Sequence, residues 1–279
     1  MFQTFLTGLR EGLEASLVIG IVVAYLVKIG RTDRLSAVWV GVGVACALSL
    51  LVGALLTFTS QSLTFEAQEM FGGVMSIFAV ALVTSMVFWM KRNAHRLKGD
   101  LQGRLDSAVG VSWFSVVVLA FITVGREGLE TALFLWPTIE ANGSGAGPTV
   151  GAVLGIALAV VLGRMVYRRS VHLNLETFFR YTGIALVIIA AGVLAYGVHD
   201  LQEAAVLPGL NSLAFDVSEQ VPPSSWYGTL LKGTINFSPA TTWLEACVYV
   251  GYLVPVMWLF LRPARKSVQS APQRVLVSS

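Results

Sequence analysis

The sequence predicts an all-α polytopic membrane protein. It has seven transmembrane helices, two inverted three-helix repeats plus one C-terminal helix, with the N-terminus out and the C-terminus in. Three observations carry this reading. The 279 residues are 55% hydrophobic and only 13% charged, with a mean hydropathy of +0.73. Apolar stretches long enough to cross hydrocarbon, at least about 18 residues, recur along the chain. One charged pentapeptide occurs twice, once in each half.

The apolar runs fall at roughly 4–27, 36–58, 69–90, 109–137, 149–167, 178–198 and 243–261. They divide the chain into a first repeat (1–90), a cytoplasmic loop (91–108), a second repeat (109–198), an external acidic loop (199–242), a seventh helix (243–262) and a cytoplasmic tail (263–279). The first run lacks a basic leader and contains the pentapeptide, so it is expected to be a retained helix and not a cleaved signal. Basic residues set the orientation. Sixteen of the nineteen follow spans one, three and seven or flank the loop after span five, which puts them on one side; Arg10, Arg126 and Lys232 are the exceptions. The net charge of +3 reflects that asymmetry and gives no reason to expect nucleic-acid binding.

The repeat is visible beyond the pentapeptide. Gly41, Ala45, Ser49 and Gly53 form a small-residue stripe in span two, and Gly151, Gly155, Ala159 and Gly163 repeat it 110 positions later in span five. Leu63-Thr64-Phe65-Glu66 matches Leu173-Asn174-Leu175-Glu176 at the same offset, as Gly73 matches Gly183. Small residues every four positions allow close helix contact. Three spans per repeat is an odd number, so the second half enters the membrane from the opposite side.

The pentapeptide is Arg10-Glu11-Gly12-Leu13-Glu14 and again Arg126-Glu127-Gly128-Leu129-Glu130. An ionisable group at membrane depth costs a few kcal/mol and marks a pathway or site. At about 100° per residue, Arg10, Glu11 and Glu14 share one face of a helix. The two carboxylates can reach one ligand, and Arg10 can pair with Glu14 four residues on. Gly12 and Gly128 open room for a neighbouring backbone. Brought face to face near the midplane, the copies supply Glu11, Glu14, Glu127 and Glu130 as metal-binding carboxylates, supported by Arg10 and Arg126. Clustered oxygens suit a hard or borderline cation, and the lack of nearby Cys, Met or His argues against copper(I) and a typical zinc site. The alternative is a pair of buried ion pairs locking two helices, but each copy supplies two acids for one arginine.

Outside the membrane, Glu66, Glu69, Asp216 and Glu219 are candidate metal-gathering acids that would raise the local cation concentration. Asp200, Glu203, Glu140 and Glu245 lie on the same side; solvated loop acids, or helix-dipole partners in the case of Glu66 and Glu69, are the plainer account. His199 is a weaker ligand candidate beside Asp200, whereas His95 and His172 belong to basic loops. Residues 141–148 read as a flexible connection and the tail after Arg262 as disordered. Cys46 and Cys247 give neither a metal spacing nor a disulfide framework.

The doubled Arg-Glu-Gly-Leu-Glu and the N-out layout resemble the oxidase-dependent iron permease family, which takes in the fungal high-affinity iron permeases and the bacterial EfeU-type iron permeases. Asp216-Val217-Ser218-Glu219 is similar to the external Asp-Ala-Ser-Glu of fungal members, with Val at its second position. The resemblance implies iron, Fe3+ or Fe2+, as the transported ion, no resident cofactor and no enzymatic activity. It also implies an external iron oxidase or iron-binding protein as partner, and the plasma membrane, in bacteria the inner membrane, as location. A permease for another divalent cation such as manganese is the alternative. A membrane-embedded di-metal enzyme is a further one, weakened by the absence of any Glu-x-x-His.

Overall fold

A computed structural model describes residues 1–93, 112–141, 146–167, 175–222, 225, 227–228, 231–232 and 236–262. His95, His172, residues 142–145, the 91–108 loop beyond Asn93 up to residue 108, and the tail after Arg262 lie outside these; of the flexible connection expected at 141–148, Ala141 instead ends one helix and 146–148 open the next. Seven long helices dominate the described residues: α1 (Phe2–Lys28), α2 (Leu35–Gln61), α3 (Phe65–Asn93), α4 (Trp113–Ala141), α5 (Ala146–Tyr167), α6 (Leu175–Glu203) and α7 (Trp243–Leu261). Each overlaps one of the apolar runs. Two short strands, β1 (Leu213–Asp216) and β2 (Ala240–Thr242), pair antiparallel within the 199–242 segment. This segment was expected to be only a loop.

Five helices, α2, α3, α5, α6 and α7, are apolar enough along an 18-residue stretch to cross a membrane. In α1 and α4 the motif itself interrupts the apolar run with two acids and an arginine. At 1.5 Å per residue these two helices, of 27 and 29 residues, are as long as the others and exceed a hydrocarbon core of about 30 Å.

The main helix pairs are α1 with α5, α2 with α4, and α3 with α6. Exchanging α1–α3 with α4–α6 leaves this pairing unchanged. Glycine contacts fix the direction within each pair. Gly151 meets Met1, Gly155 meets Phe5 and Leu9, and Gly163 meets Ser16, so α1 and α5 run parallel. Gly41 meets Val117 and Phe121, and Gly128 meets Ser49, so α2 and α4 also run parallel. Gly73 and Ser76 both meet Gly197, and α3 runs antiparallel to α6. The C-terminal half of α1 (Val18, Val22, Leu26) shares a core with Val116 and Ala120 at the start of α4. The two motif helices therefore run in opposite directions.

The small-residue stripes thus hold the motif helices: Gly41, Ala45 and Ser49 carry α4, while Gly151, Gly155, Ala159 and Gly163 carry α1. Gly53 is the exception. A Cβ there would have nothing within 4 Å. Gly73 and Gly183 are not equivalent either, since Gly183 meets Phe260 of α7. Helix α7 packs on α6 and binds α3 through the Thr84–Tyr252 hydroxyl pair at 2.6 Å. Lys91 donates to the terminal carbonyls of Leu259 and Phe260, a cation closing a helix C-terminus. Cys46 and Cys247 are exposed free thiols on apolar helices.

Gly155→Val should separate α1 from α5, because a Cβ there meets Leu9 N at 2.7 Å. Overpacking of this kind costs about 1–3 kcal/mol. The expected result is a clearly lowered melting temperature in detergent, read by thermal fluorescence, with Gly53→Val unchanged.

Candidate metal centre

Both motifs sit in uninterrupted helix, and their glycines point away from the acids. A Cβ on Gly12 would meet Ala159 Cβ at 2.9 Å, and one on Gly128 would run into Ser49. The close approach to α5 and α2 on that side leaves Arg10, Glu11 and Glu14 to face the helices opposite. Oxygens of Glu11, Glu14 and Glu127 lie within 4.8 Å of one another. With metal–oxygen distances of about 2.0–2.6 Å, ligands on opposite sides of one ion stand about 4–5 Å apart, so these three can share a cation.

The two halves are unequal. Arg10 and Glu11 are each 1% exposed, Glu14 5% and Glu127 9%. The Arg126 side chain is 48% exposed and that of Glu130 17%. Arg126 Nε donates to Glu130 Oε1 at 2.9 Å, and its guanidinium lies over the Trp89 ring, 4.9 Å from the centroid. Arg10 Nε stands 3.4 Å from Glu14 Oε1, an ion pair without hydrogen-bond geometry. The doubled motif predicts four carboxylates in one cluster, Glu11, Glu14, Glu127 and Glu130. Glu130 instead stands outside the closest three because Arg126 draws it toward α3, although its charge still acts on Glu11, Glu14 and Glu127.

Both oxygens of Glu11, Glu14 Oε1, Glu127 Oε2 and Glu130 Oε2 are buried with no hydrogen-bond donor from the protein. A helix lock would satisfy these oxygens with its arginines. Arg10 is itself short of acceptors at Nε and Nη1, so the cluster is built loosely around its charges. Oxygen groups at this spacing in a buried setting fit a cation ligand set.

The outer acids divide. Glu66, Asp216 and Glu219 are exposed, and none joins the three carboxylates. Asp216 accepts hydrogen bonds from Ser218 N at 2.9 Å and from the Ser218 hydroxyl, which hold its carboxyl below the usual range and keep it charged. Glu69 is half-buried. Asp200 and Glu245, expected among solvated external acids, are 3% exposed. The reason is that α6 continues to Glu203, which turns Asp200 toward α3. His199 is held by carboxylates at both ring nitrogens: Nδ1 lies 2.9 Å from Glu245 and Nε2 3.4 Å from Glu203. It joins α6 to α7. The burial of Asp200 and Glu245 had no clear sequence signal beyond the i,i+4 spacing of His199 and Glu203.

An apolar helical bundle with charged groups buried between oppositely directed helices defines an integral membrane protein that handles ions. The chain belongs to the iron permease FTR1 family, whose model matches residues 1–268. It is 36% identical over 275 residues to the ferrous iron permease EfeU of Yersinia pestis, with 97% of each chain covered. It is 35% identical over 268 residues to the protein of the same name from Escherichia coli O6:H1, covering 95% of this chain and 97% of the relative. These relatives are permeases, transporters and not enzymes, which removes the di-metal enzyme alternative. No solved structure matches the chain.

Burial separates the two arginines. Arg10→Leu should leave excess buried anions and cost roughly 3–5 kcal/mol, the penalty for breaking a buried pair. Arg126→Leu, at a half-exposed position, should cost about 1 kcal/mol or less. Denaturation of the two purified variants in detergent checks the difference.

Proposed function

We propose that this chain imports iron across the plasma membrane, in bacteria the inner membrane, through a midplane carboxylate site made by its two Arg-Glu-Gly-Leu-Glu motifs. The observation that carries the proposal is the convergence of Glu11, Glu14 and Glu127 from two oppositely directed helices. Family membership and the names of the relatives support iron, in its ferrous form, as the cargo. The exchange-symmetric pairing and the parallel and antiparallel registers support seven crossings built from two inverted three-helix repeats. The side of the described basic residues supports an N-out, C-in orientation.

The ion is gathered by outer acids, Glu66, Glu69, Asp216 and Glu219. It then replaces water with carboxylate oxygens at the midplane. Arg10 and Arg126 offset acid repulsion in the empty state, and a bound cation takes over that role. The oppositely directed halves rock against each other and open the site to alternate sides. Glu130, already paired with the half-exposed Arg126, is the carboxylate that follows the ion toward release. An external oxidase or iron-binding protein that prepares the iron belongs to the same proposal.

Proteoliposomes test it, with ferrous and ferric iron and manganese offered separately across a pH gradient. Ferrous iron should accumulate, and manganese should compete weakly. Glu14→Gln and Glu130→Gln each remove one anionic ligand and keep the shape, so each should reduce uptake at least tenfold while the protein still inserts. Wild-type transport in both variants would leave the motifs as helix locks.

Glu66→Gln, or Asp216→Asn with Glu219→Gln, should lower uptake at scarce iron and leave the rate at saturating iron unchanged. Equal loss at all concentrations would assign those residues another role.

A further inference from the structure

Helices α3 and α6 cross through glycine: Gly73 lies against Gly197 and Leu201. One turn farther toward the end of the bundle that holds Met1, this close crossing brings two carboxyls near each other, Glu69 from α3 and Asp200 from α6, whose charges repel. Asp200 Oδ2 also lies 3.0 Å from where a Cβ on Gly72 would stand. Only glycine leaves that oxygen room against α3. Asp200 is 3% exposed, and its Oδ1 is buried with no hydrogen-bond partner. The surrounding charges are anionic or already engaged: Glu203 and His199 on α6, with His199 tied to Glu245 of α7.

We propose that Asp200 and Glu69 form a second cation site, which holds a divalent ion before it passes to the midplane carboxylates. The two carboxylates bind the ion through Asp200 Oδ1 and oxygens of Glu69. A divalent ion on two carboxylates leaves the site neutral. Below the pair, a cavity of about 20 Å³ is lined by Thr7, Thr138, Val193 and apolar neighbours. Thr7 is one turn from Glu11 and Val193 two turns from Asp200, so the cavity lies between the two carboxylate groups. Its volume holds about one water, which makes the step between the sites a closed one in this conformation.

The proposal rests on the cation-transport reading, so the test reads binding and keeps the two sites apart. Full-length protein in detergent is titrated with Mn2+, and bound ion is counted by electron paramagnetic resonance. Wild type should bind two ions. Asp200→Asn and Glu69→Gln should each bind one, and Glu14→Gln should bind one. Glu69 is half-buried, so Glu69→Gln supplies the answer if Asp200→Asn does not yield a monodisperse protein. Two ions retained in Glu69→Gln, or one ion in wild type that Glu14→Gln abolishes, overturns the outer site. Two ions in Glu14→Gln and one in Glu69→Gln would support the outer pair and remove the midplane reading instead.

Discussion

The structure is organised by charge buried where hydrocarbon should be. Arg10, Glu11, Glu14 and Glu127 are all at least nine-tenths buried. On insertion scales each such group costs about 2.5–3.5 kcal/mol at membrane depth. Together that is roughly 10–14 kcal/mol, the size of a whole domain's net stability of about 5–15 kcal/mol. Pairing Arg10 with Glu14 recovers part of it. It cannot recover all, because acids outnumber arginines two to one in the motifs. The proposed cation would offset the acid that the arginines leave unpaired.

The rest of the fold serves that cluster. The motif helices must run in opposite directions, and they must come close enough for Glu14 to reach Glu127. Gly12 and Gly128 give up their side chains so that α5 and α2 can press from behind. The stripes on α2 and α5 answer with Gly, Ala and Ser at the crossing points. Van der Waals contact of this kind is the main adhesive available between helices in lipid. The same device recurs at Gly73 and Gly197, where it brings Glu69 and Asp200 into contact.

Much of this was legible in the sequence, because membrane helices are written in long apolar runs and charge within them stands out. Each run overlaps a described helix, and of the four carboxylates that the doubled motif indicated, Glu11, Glu14 and Glu127 converge. What was not legible follows from packing. Gly53 continues the stripe in sequence but has no neighbour, since the close α2–α4 contacts run from Gly41 to Ser49. The two arginines look alike in sequence, yet one is enclosed and the other lies across Trp89, a residue outside the motif. Asp200 read as a loop acid because an apolar window ends where hydropathy falls, whereas the helix continues one more turn and buries it. The strands β1 and β2 are too short to carry a pattern.

The inequality of the halves gives the bundle a direction. One motif is sealed around Arg10, and the other opens through Arg126 and Glu130. In the inverted-repeat reading proposed above, these roles are exchanged only by moving one half against the other. The central claim is that the cation sits between the motifs, and locating the metal tests it most directly. In a structure of the iron-loaded protein, anomalous scattering should place iron within bonding distance of oxygens from Glu11, Glu14 and Glu127. Iron found elsewhere, with these carboxylates engaged only by Arg10 and Arg126, would contradict the account.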